Sequence, residues 1–279
     1  MKKITKRILS VLLGVGLMVG AVGCGNSGQK QGDNKSSTAT IDEIKSRGEL
    51  RVATATGYPP YIFTDINSPN QDLTGIDAAM AKAIADELGV KLKWTNTNFE
   101  GMLSALGSGS VDFIIGGVSP TDERKKTMDF SDNYVEAEQK LIVRKEDKDK
   151  YKTINDLAGK KVAAQKSTTQ ETLAKEKISG GEIVALTKVP DCILELKTGK
   201  VDAVVVESAV ASPYLLAYPE ITFSDISLDK ELKPTAIPTQ KGKEDLVALM
   251  NKVIKENKDN GNIDKWFKEY SELASSYLK

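Results

Sequence analysis

Leu103-Ser104-Ala105-Leu106-Gly107-Ser108-Gly109-Ser110-Val111-Asp112-Phe113-Ile114-Ile115 returns ninety residues later as Ile193-Leu194-Glu195-Leu196-Lys197-Thr198-Gly199-Lys200-Val201-Asp202-Ala203-Val204-Val205. In each copy an amphipathic helical pattern runs to a glycine suited to a left-handed C-cap, turns through Val-Asp and enters an apolar strand. A spacing of that length is too long for a solenoid repeat and suits two similar lobes; the competing reading is chance likeness between two ordinary helix–turn–strand units. Ligands of open α/β sheets sit beyond the carboxyl ends of the strands. Gly116-Gly117-Val118-Ser119 and Glu207-Ser208, just past the two echoed strands, are therefore candidates for one shared cleft.

Working outward, short β-branched runs alternate with helical patterns from Ile41 onward, which predicts an α/β fold. Candidate strands are 50–53, 91–95, 111–116, 140–144, 161–164, 182–186 and 202–206, with helices at 77–88, capped by Asp77, and at 99–106. Near the end, Leu246, Leu249, Met250, Val253 and Ile254 form one apolar stripe, and Ile263, Trp266, Phe267, Tyr270 and Leu273 form another. Such stripes are core faces.

Composition removes whole classes of function. Across 279 residues the 39 basic and 39 acidic side chains balance, so the basic excess that a nucleic-acid binder needs is missing. The chain has no histidine, which excludes most hydrolase triads and zinc centres and calls for no metal or cofactor.

The first residues read as an address. Lys2, Lys3, Lys6 and Arg7 precede an apolar run over residues 8–22 that ends in Gly20-Ala21-Val22-Gly23-Cys24. That order is a secretory signal peptide, 1–23, and the run is short for a membrane span. Ala21-Val22-Gly23-Cys24 resembles the lipobox of bacterial lipoproteins, with Ala21 where leucine is commonest. On that resemblance Cys24 is lipidated, residues 24–40 are a polar flexible tether, and the domain sits on the extracytoplasmic face of the bacterial cell membrane. Ordinary secretion with an incidental cysteine is the alternative. Cys192, left without a partner, reads as a small core residue.

Three features could hold a ligand. Only five basic residues are arginine, and one of them, Arg124, stands at a helix start after Ser119-Pro120-Thr121-Asp122-Glu123, where a cation opposes the helix dipole. Its planar fork suits a carboxylate, although a surface ion pair would also explain it. Thr168-x-x-Glu171 is a capping box before a helix over 172–177, and a helix N-terminus after a strand is also an anion site. Glu207 follows Ala203-Val204-Val205-Val206, where a carboxylate is costly unless it meets water or a cation. Cation, anion-binding turn and anion at strand mouths together suit a zwitterion.

At this point a resemblance emerges. Gly48-Glu49-Leu50-Arg51-Val52 with Tyr58-Pro59-Pro60-Tyr61, Leu73-Thr74-Gly75-Ile76-Asp77, Val111-Asp112-Phe113-Ile114-Ile115-Gly116-Gly117, Pro120-Thr121-Asp122-Glu123-Arg124 and Asp129-Phe130-Ser131-Asp132 look like the amino-acid-binding proteins of ABC importers, the family 3 extracellular solute-binding proteins. The resemblance runs in order from about residue 41 to the end of the chain. It implies a two-lobed periplasmic-binding-protein-like (type II) fold, each lobe a mixed sheet flanked by helices. Lobe one would be residues 41–135 and 236–279 and lobe two 136–235, with hinge strands near 134–138 and 232–236. It also implies roles: Arg124 for the ligand carboxylate with the backbone at Thr168 and Thr169; Ser119, the backbone at Gly117 and Glu207 for the ammonium; Tyr58 and Phe99 as aromatic walls; Gln165 at the far end. Tyr61 and Phe63 read as core aromatics.

Ala55 and Ile62 stand where many relatives carry acids, and Asn133 replaces a usual proline. The expected ligand is therefore a neutral, polar L-amino acid such as glutamine, with arginine second because two aromatic faces can hold a guanidinium. The expected partners are the ABC permease subunits and the membrane through the lipid anchor; no nucleic acid is expected, and the protein should be a monomer. The rival functions are a ligand-sensing receptor domain and a periplasmic dehydratase-like enzyme on the same fold. A pocket with one carboxylate and no histidine argues against the enzyme.

Overall fold

Successive residues of a strand face opposite sides of its sheet, so the alternation of apolar positions decides what covers each face. The structure is a computed structural model and describes residues 39–229 and 231–278; the leader, Cys24 and the tether up to residue 38 lie outside the described residues. The first stretch runs α1 (Ala39–Arg47), β1 (Glu49–Thr54), β2 (Phe63–Thr64), β3 (Leu73–Thr74), α2 (Ile76–Leu88), β4 (Lys91–Asn96), α3 (Phe99–Gly107), β5 (Phe113–Ile114), α4 (Asp122–Thr127) and β6 (Met128–Phe130). The second runs β7 (Val135–Arg144), β8 (Lys161–Gln165), α5 (Thr169–Lys177), β9 (Glu182–Leu186), α6 (Val189–Lys197), β10 (Ala203–Glu207), α7 (Ser208–Ala217) and β11 (Ile221–Phe223). The chain then returns through β12 (Leu232–Thr235) and β13 (Pro238–Gln240) to α8 (Glu244–Asp259) and α9 (Asn262–Tyr277).

Two mixed sheets result. The first has the order β4-β1-β5-β13-β6 and the second β11-β7-β10-β8-β9, with β12 paired to the start of β7. The antiparallel pairing of residues 135–138 with 232–235 is where the chain crosses from one lobe to the other and back. Val52, Phe113 and Ile115 face a core with α2 and α8, while Ala53 and Ile114 face α3. In the second sheet Leu141, Val143, Val162 and Val205 face α5, and Ile142, Ala163, Val204 and Val206 face α6 and α7. Cys192 is buried among the latter. Both terminal stripes join the first core through Leu246, Met250, Val253, Ile254 and Ile263, and the far end of α9 also lies against α7.

The sequence echo is a structural repeat down to its hydrogen bonds. Gly109 and Gly199 have φ of 72° and 74°. Their N–H groups donate to Leu106 O and Leu196 O, and those of Ser110 and Lys200 donate to Ala105 O and Glu195 O. Asp112 Oδ2 accepts from the Arg51 N–H at 2.7 Å and Asp202 Oδ2 from the Lys161 N–H at 2.9 Å. In each lobe the Val-Asp turn thereby fastens the incoming strand to its parallel neighbour.

Some boundaries differ from the sequence reading, each for a local reason. The strand expected over 111–116 is paired only at Phe113–Ile114, because the Asp112 carboxylate caps β1 and Gly116 and Gly117 turn away at positive φ. Asp77 does not cap α2: Gly75 occupies the N-cap, and the Asp77 carboxylate is buried against Tyr134 and the Gly117 N–H. Helix α5 begins at Thr169 instead of residue 172.

Gly75 is held at φ 121°, where an added Cβ would lie 2.2 Å from Tyr61 O, whereas Gly89 at φ 70° has open space around it. Gly89→Ala should therefore cost roughly 1 to 2 kcal/mol for its left-handed backbone alone, and Gly75→Ala on the order of 3 kcal/mol or more. Equal losses in urea unfolding would contradict the packing described for the start of α2.

Candidate functional site

The site is built from segments that leave the carboxyl ends of the strands. After β1 the turn Tyr58-Pro59-Pro60-Tyr61-Ile62 closes on itself, Tyr58 and Ile62 exchanging backbone hydrogen bonds of 3.0 Å each. The turn stacks the Tyr58 and Tyr61 rings at 5.5 Å between centroids. It also pushes Tyr58, Tyr61 and Ile62 into the core of the second lobe. After β5, Gly117 at φ 67° lets the backbone pass under Tyr58; a Cβ there would sit 2.5 Å from Tyr58 Cε1.

Arg124 is placed by its own helix start. Its N–H donates to the Thr121 N-cap hydroxyl at 3.2 Å, and its Nη1 donates back to Ser119 O at 3.0 Å. Nη2 reaches across to Ser167 O of the second lobe at 3.3 Å, and the guanidinium lies over Phe99, 5.3 Å from the ring centroid. Two of five N–H donors are so engaged, which leaves that of Nε and one on each Nη for the cavity that Arg124 lines.

Ser167 adopts φ 65°, a conformation costly for a non-glycine residue, and so presents its carbonyl to Arg124. Thr168 caps α5 by accepting from the Glu171 N–H, but the capping box is not reciprocal: Glu171 Oε2 takes the Ser167 N–H at 2.6 Å, not that of Thr168. The amides at the start of α5 thus point a helix N-terminus at the cavity. Gln165 Nε2 donates to Thr187 O at 3.2 Å, which leaves its carbonyl oxygen as the group for a ligand donor.

Glu207 ends β10, is 1 % exposed, and meets Gln170 Nε2 at 3.4 Å. Burial pushes its carboxyl up to about 7, opposed by the polar groups of Tyr61, Tyr58 and Gln139 that face it, and the charge of Asp77 adds to the rise. Asp77 is likewise pushed up to about 7 by burial, opposed by the Tyr134 hydroxyl at 2.6 Å and the Gly117 N–H. Burial lowers the Arg124 guanidinium, and nearby Glu123 opposes this.

A narrow pocket of about 10 Å³ is lined by Tyr58, Phe99, Gly116, Gly117, Arg124, Gln165, Thr168, Thr169 and Gln170. It therefore gathers seven of the nine sequence-predicted site residues. Ser119 lines instead an open groove of about 1020 Å³ that shares Arg124, Thr168 and Thr169 and is the mouth of the cleft. Glu207 stands behind Gln170 and the two tyrosines. Gly116 was read from the sequence as part of the cleft without a ligand role; the sequence reading missed Gln170, which directly follows the two threonines it singled out.

Across the cleft, Lys166 Nζ meets Glu100 Oε2 at 2.8 Å, the Tyr214 hydroxyl donates to Gly57 O at 3.3 Å, and Gly57 passes close to Pro190. Among the described residues no helix is long and apolar enough to cross a membrane.

Comparison with known proteins agrees with this architecture. The probable histidine-binding protein of Campylobacter jejuni is 32 % identical over 239 residues, covering 85 % of this chain and 91 % of that protein. The solved structure of the amino acid ABC transporter substrate-binding protein AbpA of Streptococcus pneumoniae, bound to L-arginine, superposes with a TM-score of 0.81 at 37 % identity, over 84 % of this chain and 98 % of that one. The ancestral amino-acid-binding protein AncCDT-1, a precursor of cyclohexadienyl dehydratase, follows with a TM-score of 0.75 at 36 % identity, over 83 % and 98 %. The family model of the bacterial extracellular solute-binding proteins, family 3, matches residues 50–272. With two lobes, two crossings and a cavity between them, the chain belongs to family 3 of the bacterial extracellular solute-binding proteins.

Proposed function

We propose that the narrow pocket between the lobes is where they close on one free L-α-amino acid, its carboxylate on Arg124 and the amides that open α5, its ammonium drawn by Glu207. The observation that carries this reading is that a half-buried guanidinium and a helix N-terminus line one narrow pocket with a buried carboxyl set behind it. Ser119 and the backbone at Gly117 help at the mouth, and Tyr58 and Phe99 flank the side chain.

At the far end Gln165 offers an acceptor, which selects a donor-tipped side chain. A neutral amide such as glutamine is the first reading, because Ala55 and Ile62 put no acid there to meet a second cation. Arginine is the second reading, favoured by the arginine-bound AbpA structure.

Residues 41–135 with 236–279, and residues 136–235, are the two bodies that close on the ligand. The protein acts as the monomeric substrate-binding component of an ABC-type amino-acid importer and hands its ligand to the permease. Cys24 carries the lipid that holds it at the extracytoplasmic face of the cell membrane. It is a binder and not a catalyst: among the described residues the other buried carboxyls are held elsewhere, Asp77 by Tyr134 and Gly117 and Asp147 by Arg144 and Lys150, so Glu207 has no second acid to pair with in proton transfer.

A thermal-shift panel of the twenty amino acids tests the reading, since a ligand at 100 times its Kd stabilises by about 2.7 kcal/mol. A response to glutamine without one to arginine supports the first choice; tight arginine binding with no response to neutral amino acids overturns it. Arg124→Lys keeps the charge but not the fork, and should weaken binding about five- to hundred-fold in calorimetry. Undiminished affinity would remove Arg124 from the site. Cys24→Ser should release a folded, binding-competent protein from membranes, and its retention in the membrane fraction would refute the lipid anchor.

A further inference from the structure

Five buried side-chain atoms lack a hydrogen-bond partner among the described residues: the Tyr61 hydroxyl, both amide atoms of Gln139, Glu207 Oε2 and the Thr235 hydroxyl. They are one group. Gln139 is the cross-strand partner of Glu207 between β7 and β10, and the Tyr61 hydroxyl faces both Thr235 and Glu207. All four residues are at most 2 % exposed.

Their positions in the fold are as telling as their burial. Thr235 is the last residue of β12, and Gln139 directly follows the residues of β7 that β12 pairs; these are the strands of the two crossings. Tyr61 comes from the first lobe and Glu207 from the second. The titratable groups that face Glu207 are Tyr58 and Tyr61 from the turn after β1, Asp77 from α2 and Tyr134 from the crossing, while Gln170 approaches from α5.

The chemistry of this shell is amphoteric. An amide and a hydroxyl each donate and accept. An ionised Glu207 can take hydrogen bonds from Gln139 Nε2 and the Tyr61 hydroxyl, and a protonated Glu207 can give one to Gln139 Oε1. A lysine or arginine in either place would hold the carboxylate permanently charged.

We infer that Tyr61 and Gln139 are positioning residues that let Glu207 exchange a proton for the ammonium of the ligand, so that capture of an amino acid releases one proton, with Thr235 tying this exchange to the crossing. The inference rests on the reading that Glu207 receives the ammonium. The balance is simple: the O–H bond of Glu207 breaks, its proton leaves to solvent, and the already charged ammonium takes its place beside the carboxylate.

The sign follows from burial, which holds the Glu207 carboxyl near 7. Below that pH the ligand must displace a proton, so affinity falls by up to tenfold per pH unit; well above it, affinity is flat. Tyr61 and Gln139 favour the ionised form, so their removal moves the midpoint of the profile upward.

The test is calorimetry of the full chain between pH 5 and 9 in buffers of different ionisation enthalpy, with glutamine and arginine as probes. The parent should release close to one proton per ligand near pH 6 and almost none near pH 9. Asp77→Asn should keep this release and Glu207→Gln should lose it. Tyr61→Phe and Gln139→Leu should each move the midpoint up by about 0.5 to 1 pH unit, with affinity at pH 9 near that of the parent. A uniform loss of affinity with an unmoved midpoint in both variants, or in whichever of them folds, makes them structural residues only and overturns the inference, as does proton release that follows Asp77. If neither probe nor any other amino acid binds the parent at any pH, it is the amino-acid reading that fails.

Discussion

The structure depends on setting a guanidinium and a carboxyl on two sides of one narrow, largely buried pocket. Arg124 and Glu207 belong to different lobes, and an unpaired charge of either sign is costly to bury. The fold meets that cost with polar groups: Ser119 and Ser167 carbonyls for the guanidinium, and tyrosine and glutamine side chains around the carboxyl. On the proposed reading a zwitterion completes both sides at once, which neither a simple anion nor a simple cation can do, and the Arg124 contact with Ser167 O joins ligand recognition to the meeting of the lobes.

The repeat explains why both lobes can be so similar in framework and so different in what they offer. Asp112 and Asp202 hold equivalent strands through equivalent bonds, and the strand ends beyond them are free to vary. One end became Gly116-Gly117, bare backbone beneath a tyrosine; the other became Glu207. The first offers close approach and the second charge.

Much of this was legible in the chain because it depends on local pattern. The echo, the two terminal stripes and the arginine against its helix dipole are all short-range signals, and the cavity gathers Arg124, Thr168, Thr169, Tyr58, Phe99, Gly117 and Gln165 accordingly. What was not legible depends on partners distant in sequence. Asp77 has the local signature of a helix cap, yet Tyr134 and Gly117 claim its carboxylate from 57 and 40 residues away. Tyr61 reads as a core aromatic, and its ring is one, but its hydroxyl shares a buried polar group with Gln139, Thr235 and Glu207 that no window of sequence contains. Gln170 was hidden in a motif read for its threonines.

The most direct test of the zwitterion account is to compare, by calorimetry, the best-bound amino acid with its α-carboxamide and with its N-acetyl derivative. Each derivative removes one of the two charges and leaves the side chain intact. The account predicts that both bind at least about tenfold more weakly, because each leaves Arg124 or Glu207 without its counter-charge. Binding of both derivatives as tightly as the parent amino acid would contradict it.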